Sequence, residues 1–280
     1  MTQSSGLLER LPDRKGLDRI WSVLPEARLV GGSVRDLLAG VPVHDLDLAT
    51  PEPPEEVQRR LEDAGIRVIP TGLSHGTVTA VLDGVPYEIT TLRRDEETDG
   101  RHAVVVWTQD WTEDAARRDF TINAMSLDRH DRLHDYFGGQ EDLKSRQVRF
   151  VGDASRRIAE DALRALRFFR FDARYGNGNP DRAACKAVSE QLGLIGTLSA
   201  ERVASELFRI LSGPRLAETI RAMAAVGLLQ VILPDPDPAD LNRLLNCGAP
   251  GNPLLRLFVL CHESSRALPG RLKLSNADAS

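Results

Sequence analysis

Leu29-Val30-Gly31-Gly32-Ser33-Val34-Arg35-Asp36, followed closely by His44-Asp45-Leu46-Asp47-Leu48, is the stretch that decides the fold of the first half of the chain. Its pattern predicts a short strand over Arg28–Val30 that runs into a sharp turn at the glycine pair, because glycine adopts backbone conformations closed to other residues. A helix is predicted to follow over Ser33–Ala39. A strand, turn and helix in this order are typical of a site where backbone N–H groups approach a phosphate.

Two aspartates separated by one residue follow that helix. On a strand predicted over Asp45–Ala49, alternation would point Asp45 and Asp47 to one face, and Leu46 and Leu48 to the other face, into the core. Oxygen ligands at this spacing suit Mg²⁺, which is held by one or two carboxylates plus substrate phosphates. With Arg35 facing the same phosphates, the stretch predicts a nucleoside triphosphate site without a Walker lysine. Taken alone, an Asp-x-Asp pair is also common at solvated strand edges.

Length and composition are those of a folded globular protein. The 280 residues are 41% hydrophobic and 28% charged, which argues against the disordered and membrane-spanning classes. The N-terminus lacks a basic segment followed by an apolar one, and three scattered cysteines lack metal-ligand spacing, so a cytoplasmic location is predicted. The net charge of −5 argues against a surface covered with nucleic-acid-binding charge, but clustered arginines leave a local anion site open.

Hydrophobic periodicity divides the chain into a mixed half and a helical half. The first ~150 residues alternate strand-like and helix-like runs, and Asp83-Gly84 is typical of a hairpin turn. From about Asp153 onward, apolar residues recur at the spacings of amphipathic helices. The predicted strands are Arg28–Val30, Asp45–Ala49, Val68–Pro70, Thr77–Val81 and Tyr87–Thr91, and the predicted helices include Pro54–Ala64, Ile158–Phe171, Ala183–Leu192, Ala200–Leu211 and Leu216–Val226. The expected fold class is α+β, with a small mixed sheet and flanking helices in the first half.

A second motif, Arg117-Arg118-Asp119-Phe120-Thr121-Ile122-Asn123-Ala124, places two arginines beside an acid. An isolated Arg-Arg pair is most often a solvated helix flank. Downstream of a metal-binding pair, however, Arg117 and Arg118 become candidate ligands of a triphosphate, because guanidinium groups bind phosphate through paired hydrogen bonds.

A third motif, Glu160-Asp161-Ala162-Leu163-Arg164, lies in the helix predicted over Ile158–Phe171. On one continuous helix, Asp161 and Arg164 would be neighbours on the same face. A surface ion pair of this kind contributes only roughly a few tenths of a kcal/mol. As a device for base recognition, a carboxylate acceptor beside a guanidinium donor complements the amino group and ring nitrogen of cytosine and adenine, whereas uracil and guanine present the opposite order.

These three motifs, in this order, resemble those of the class II tRNA nucleotidyltransferases, the CCA-adding enzymes that share a family with bacterial poly(A) polymerase. A weaker fourth stretch, Glu201–Leu207, also resembles the family. The resemblance implies a nucleotidyltransferase head over residues 1–150, an all-helical neck for base recognition over 151–211, and part of a helical body over 212–280. The family's tail, which grips tRNA, would then be missing.

The resemblance also implies roles for individual residues. Asp45 and Asp47 would be catalytic residues that bind Mg²⁺, with Glu88 as a third catalytic carboxylate. Asp161 and Arg164 would recognise the incoming base. The other residues implied to bind the nucleotide are Gly32, Arg35, Arg117, Arg118, Asn123, Arg167 and Arg170.

The implied activity is the template-independent addition of CCA, from CTP and ATP, to the 3′ end of tRNA with release of pyrophosphate. Gly72–Thr77 resembles the pattern of CCA-adding enzymes, and Leu92–His102 resembles the flexible loop that CC-adding enzymes lack. An A-adding tRNA nucleotidyltransferase or a poly(A) polymerase is the alternative with the same chemistry. A small-molecule nucleotidyltransferase and an RNA-binding protein without activity are more distant alternatives. A monomer without membrane association is expected.

Overall fold

The computed structural model describes residues 6–72, 76–96 and 104–274, and it divides the chain into two compact units, Met1–Lys144 and Ser145–Ser280. Two stretches resemble those of CCA-adding enzymes, Gly72–Thr77 and Leu92–His102. Parts of both lie outside the described residues. No helix in the described ranges combines the length and the hydropathy needed to cross a membrane. The boundary between neck and body near residue 211 stays a prediction.

A mixed sheet forms the centre of the first unit, Met1–Lys144. In its described part the strands are β1 (Arg28–Val30), β2 (Asp47–Thr50), β3 (Arg67–Gly72), β4 (Thr77–Leu82), β5 (Val85–Thr91), β6 (Arg93–Glu96), β7 (Val104–Trp107), β8 (Met125–Leu127) and β9 (Leu133–Asp135). One sheet has the order β3-β4-β5-β2-β1-β8-β9, in which β2 and β5 run parallel and the other neighbours are antiparallel. β6 and β7 pair as an antiparallel ribbon. The predicted α+β class with a small mixed sheet is confirmed.

The hairpin predicted at Asp83-Gly84 joins β4 to β5 and is confirmed. Asp83 and Gly84 have φ values of 50° and 83°, as the type I′ turn favoured in two-residue hairpins requires. β5 begins at Val85, two residues before the predicted start, because its pairing with β4 continues to the turn, where Leu82 lies opposite Val85.

Helices bury one face of this sheet. The helices of this part of the chain are α1 (Arg14–Val23), α2 (Gly32–Ala39), α3 (Pro54–Asp63), α4 (Trp111–Ala116) and α5 (Gly139–Ser145). Leu29, Leu48 and Ile89, from three neighbouring strands, are fully buried in a core shared with apolar residues of α1 and α3. Because side chains alternate along a strand, Asp47 and Glu88 lie on the opposite face of the sheet.

The strand predicted over Asp45–Ala49 is wrong at its start. β2 begins at Asp47, where its parallel pairing with β5 begins opposite Glu88, and Asp45 lies in a segment without regular secondary structure. A competing hydrogen bond explains the difference, because the carbonyl of Asp45 accepts from the hydroxyl of Ser33. Alternation along a strand therefore does not set the direction of the Asp45 side chain.

The second unit, Ser145–Ser280, is helical in its described part and is called the helical unit below. Its helices are α6 (Ala154–Glu160), α7 (Arg164–Tyr175), α8 (Arg182–Glu190), α9 (Leu192–Ile195), α10 (Ala200–Leu211), α11 (Leu216–Ala225), α12 (Leu228–Ile232), α13 (Pro238–Asn246), α14 (Pro253–Leu260) and α15 (Leu268–Leu272). α7 packs against α10 and α11, and Leu166, Phe168 and Phe169 of α7 are fully buried.

The helix predicted over Ile158–Phe171 is wrong in its continuity. α6 ends at Glu160 and α7 begins at Arg164, and between them Asp161 has an extended backbone with φ −152° and ψ 104°. The carboxylate of Asp161 accepts a hydrogen bond from the N–H of Leu163 at 3.1 Å. Aspartate side chains compete with helices through such local bonds to the backbone. Asp161 and Arg164 are therefore not neighbours on one continuous helix.

Candidate active site

The turn between β1 and α2 is packed against two guanidinium groups. Gly31 caps α2 with φ +64°, a conformation that favours glycine, and a Cβ there would lie 2.9 Å from Nη1 of Arg118. Gly32 begins the helix, and a Cβ on it would lie 3.5 Å from Nη2 of Arg35. The N-terminus of a helix and two arginines thus lie together, as an anion site requires.

Asp47 on β2 lies close to Arg118 and beside a carboxylate of β5. Asp47 lies in register with Glu88 across the parallel pair. Burial raises the pKa of Asp47, the charges of Glu88 and Asp45 raise it further, and the charge of Arg118 offsets only part of this. The charges of Glu88 and Asp45 therefore oppose a negative charge on Asp47, and a cation bound beside Asp47 would relieve this repulsion.

This set of donors fits a hard divalent cation that also binds substrate. In the described part of the chain, no three His, Cys, Asp or Glu side chains converge closely enough to hold a metal ion by themselves. Magnesium, however, is held by one or two carboxylates together with substrate phosphates rather than by a cage of protein ligands. Asp45 and Asp47 supply two such carboxylates, and their assignment as metal ligands stays a prediction.

Arg35 is buried and joins α2 to the second motif. Its Nη1 donates to Oδ1 of Asn123 at 2.7 Å, and its Nε donates to Oδ1 of Asp36 at 2.9 Å. Asn123 donates in turn through Nδ2 to Oδ1 of Asp119 at 2.9 Å. The structure thus brings Arg35 and Asn123, two of the predicted nucleotide-binding residues, into contact with each other.

Arg117 and Arg118 both bind Asp114, a buried residue that is not among the predicted site residues. Nη2 of Arg117 donates to Oδ1 of Asp114 at 2.7 Å, and Nη2 of Arg118 donates to Oδ2 at 3.1 Å. Burial acts to raise the pKa of Asp114, but the charges of Arg118 and Arg117 outweigh it and hold the pKa below its ordinary value. In the sequence, Arg117 and Arg118 follow Asp114 by three and four residues, which places them on one face of a helix. This spacing could have predicted the cluster.

The two arginines remain accessible to a ligand. The side chain of Arg117 is 17% exposed and that of Arg118 is 19% exposed, whereas that of Asp114 is 3% exposed. Asp114 therefore fixes the two guanidinium groups from the interior while part of each faces solvent.

In the helical unit, Asp161 binds a residue of α10. Nη2 of Arg202 donates to both carboxylate oxygens of Asp161, at 3.0 and 2.9 Å. Arg164 contacts Glu160 and the backbone carbonyl of Arg157. The two residues predicted to recognise the base thus have different partners, and the bond from Arg202 is one that the sequence analysis did not predict.

Arg167 and Arg170 lie one and two turns further along α7 from Arg164. Both guanidinium groups lie over the ring of Phe171, 5.4 and 4.4 Å from its centroid, and Nε of Arg170 donates to buried Glu206 at 2.7 Å. Burial lowers the pKa of Arg170, although Glu206 opposes this. At spacings of three residues the three arginines share one face of α7, so they form a basic row in the helical unit.

Two family models match the chain. The model described as "Poly A polymerase head domain" matches residues 27–149, which carry the glycine turn, the carboxylates and the Asp114 cluster. The model described as "Probable RNA and SrmB- binding site of polymerase A" matches residues 179–240, within the helical unit.

Curated relatives and a solved structure agree with these models. The chain is 46% identical over 208 residues to "CCA tRNA nucleotidyltransferase 1, mitochondrial" of Danio rerio. This match covers 73% of this chain and 48% of that protein. The chain is also 39% identical over 200 residues to a "CCA-adding enzyme" of Staphylococcus epidermidis. This second match covers 71% of this chain and 49% of that protein. The chain spans about half the length of these relatives.

The crystal structure of the Bacillus stearothermophilus CCA-adding enzyme in complex with CTP has the same fold. It superposes with a TM-score of 0.77 at 31% sequence identity, over 95% of this chain and 68% of that chain. The head-domain model spans the glycine turn and the carboxylates, and the match to this structure extends over nearly the whole chain. The chain therefore belongs to the nucleotidyltransferase family that includes the CCA-adding enzymes and the poly(A) polymerases.

Proposed function

We propose that this chain is a template-independent tRNA nucleotidyltransferase that adds CCA, from CTP and ATP, to the 3′ end of tRNA with release of pyrophosphate. The observation that carries the proposal is the grouping of Asp45, Asp47 and Glu88 with the glycine turn and Arg118. A cluster of acids beside an anion-binding helix terminus suits a metal-bound nucleoside triphosphate. The names of the relatives support tRNA as the acceptor.

Membership of the family implies the use of a divalent metal ion, and we propose that it is Mg²⁺ held by Asp45 and Asp47. When bound, the metal would lower the pKa of the attacking hydroxyl and stabilise the charge that develops on the phosphate. Glu88 would act as a third carboxylate, beside Asp47, by increasing the negative charge that attracts the ion. These assignments rest on position and charge.

The transfer needs no protein nucleophile. The 3′ oxygen of the RNA bonds to the α-phosphorus of the nucleotide, its proton passes to water, and the bond to the oxygen that bridges to the β-phosphate breaks. Arg117, Arg118 and the N–H groups at Gly32 would bind the phosphates that leave as pyrophosphate. Arg35 and Asn123, which contact each other, would hold the sugar or phosphates from the other side of the turn.

Base choice is proposed for the helical unit. The carboxylate of Asp161 would accept from the amino group of cytosine or adenine, and Arg164 would donate to the adjacent ring nitrogen. The ion pair that Asp161 now makes with Arg202 is partly exposed, and such pairs exchange at low cost. Arg167 and Arg170 would line the same pocket and favour the negatively charged nucleotide.

An A-adding tRNA nucleotidyltransferase or a poly(A) polymerase is the second candidate. The observation that favours it is the match of residues 27–149 to a head domain named for poly(A) polymerase. A cytoplasmic location and a monomeric state stay predictions, and the relative from Danio rerio is named as mitochondrial.

Two labelled forms of CTP test the reaction. With tRNA that lacks CCA and with Mg²⁺, the label of α-labelled CTP is expected to enter the RNA, whereas the label of γ-labelled CTP is expected in pyrophosphate. Asp45→Asn should abolish both signals, and Asp18→Asn, which removes an exposed carboxylate of α1 that pairs with Arg14, should change neither. Entry of the γ-label into RNA, or full activity of Asp45→Asn, would contradict the proposal.

A further inference from the structure

Ser33 joins the first turn of α2 to the segment that carries the two aspartates. Its Oγ donates to the backbone carbonyl of Asp45 at 3.0 Å and accepts from the backbone N–H of Asp47 at 3.0 Å. Ser33 is 3% exposed. A hydroxyl group has one donor and two acceptor positions, so both bonds form through the same oxygen at the same time.

The sheet alone does not position Asp45. β2 begins at Asp47, and Val41–Leu46 has no regular secondary structure. Two features hold the end of this segment in place: the side chain of Leu46 is buried in the core, and the hydroxyl of Ser33 binds the residue on either side of it. Without the hydroxyl, the buried side chain of Leu46 and the start of β2 at Asp47 would remain, but no hydrogen bond from Ser33 would fix the backbone at Asp45 against α2.

The helix that carries Ser33 is itself firmly placed. Val34 and Leu37 of α2 are buried in the core, and Arg35 is bound to Asn123. A rigid helix therefore presents the hydroxyl at a fixed position. Removal of a group that orients metal ligands in this indirect way typically lowers metal affinity by about 10-fold or more.

We propose that Ser33 is a positioning residue for the metal site, which fixes the separation and direction of the carboxylates of Asp45 and Asp47. This inference rests on the proposed function, because it takes these two carboxylates as the metal ligands. The hydroxyl of Ser33 is engaged by the backbone of Asp45 and Asp47 and is given no direct role toward the metal or the substrate. It acts through the backbone atoms of the two ligand residues.

The inference is tested by Mn²⁺ binding to the intact chain with CTP and without RNA, measured from the enhancement of water proton relaxation by the protein-bound ion. Ser33→Ala is expected to weaken Mn²⁺ binding by about 10-fold or more, and Ser33→Thr, which keeps the hydroxyl, is expected to restore most of it. Ser22→Ala is the matched control, since Ser22 on α1 bonds only a local backbone carbonyl in the same unit. It should bind Mn²⁺ as the wild type does.

The outcomes separate the inference from the proposed function. If the wild type binds Mn²⁺, Asp47→Asn does not, and Ser33→Ala binds as tightly as the wild type, the positioning role is wrong while the metal site stands. If Asp47→Asn binds as tightly as the wild type, the metal assignment fails, and the role of Ser33 fails with it. Should Ser33→Ala not fold, Ser33→Cys replaces the hydroxyl with a somewhat larger thiol that forms much weaker hydrogen bonds, and unchanged Mn²⁺ affinity in that folded variant would overturn the inference.

Discussion

Replacement of Asp114 by asparagine should lower both the free energy of unfolding of the first unit and the affinity of its proposed phosphate site. Asp114 is buried and receives hydrogen bonds from Arg117 through Nε and Nη2, at 2.9 and 2.7 Å, and from Arg118 through Nη2 at 3.1 Å. Asparagine keeps one acceptor oxygen, which can still serve Arg117. Its amide NH₂ group would face the guanidinium of Arg118, so that donor would meet donor.

The magnitude follows from these contacts. Hydrogen bonds to charged groups contribute about 1.5–3 kcal/mol each, and a buried pair that loses one partner is destabilised by about 3–5 kcal/mol. Because Arg117 and Arg118 remain partly exposed, water can replace some of the lost contacts. We therefore expect the free energy of unfolding to fall by ~2–4 kcal/mol.

Tryptophan fluorescence measures this effect in the first unit alone. The three tryptophans of the chain, Trp21, Trp107 and Trp111, all lie between Met1 and Lys144. Urea unfolding followed by their fluorescence should show a lower midpoint for Asp114→Asn, and CTP affinity should fall because Arg118 is no longer held beside the glycine turn.

The effect should also depend on pH in a defined direction. The pKa of Asp114 is lower in the folded protein than its ordinary value, so its carboxylate contributes stability fully above the unfolded pKa of about 3.9. That contribution is lost as the pH falls through the lower folded pKa. The difference between wild type and Asp114→Asn should therefore shrink as the pH falls below about 4.

Asp110→Asn is the matched control for this variant. Asp110 is the exposed N-cap of the same helix, and asparagine caps helices as well as aspartate does. Its free energy of unfolding should stay within about 0.5 kcal/mol of that of the wild type. If Asp114→Asn unfolds at the same urea concentration as Asp110→Asn, the ion pairs of Asp114 with the two arginines do not stabilise the first unit, which would contradict the expected loss of stability.

Three further variants test other parts of the site. Gly31→Ala should lower both stability and CTP affinity more than Gly84→Ala, because both positions have positive φ but only the Cβ at Gly31 would meet Arg118; equal urea midpoints and equal CTP affinities would contradict this. Asp47→Asn should reduce nucleotide incorporation by at least ~10²-fold yet raise the urea midpoint, because it removes a half-buried charge repelled by its neighbours; a lower midpoint would show that the charge is stabilising. Asp161→Ala should reduce the preference for CTP over UTP by about 10-fold or more, measured as a ratio of incorporation rates, and an unchanged ratio would place base choice elsewhere.

Much of the fold follows from local sequence signals. Alternation and turn residues predict β1, β4 and the Asp83-Gly84 hairpin, because these elements are decided by neighbouring residues. The helical second half follows from apolar periodicity, and α10 has the predicted bounds, Ala200–Leu211. The order of strands in the sheet could not be predicted, since pairing between distant segments leaves no local pattern.

The errors at the candidate site have one physical cause. Asp45 leaves the predicted strand because its carbonyl bonds Ser33, and Asp161 interrupts the predicted helix because its carboxylate bonds the N–H of Leu163 and the guanidinium of Arg202. Apolar periodicity describes regular structure, and it carries no information on hydrogen bonds that polar groups form with nearby backbone or with distant side chains. The residue types of the site were predictable, whereas the partners that hold them were not.

The most direct test of the central claim is the length of the product on a sequencing gel. The chain would be incubated with CTP, ATP and Mg²⁺ and with tRNA that lacks CCA, that ends in CC, or that is complete. If the chain adds CCA, these three substrates gain three, one and no nucleotides respectively, and addition then stops. Long A tails would contradict CCA addition in favour of poly(A) polymerase, addition of A to the CC end alone would indicate an A-adding enzyme, and no addition to any tRNA would contradict the proposed activity of this chain.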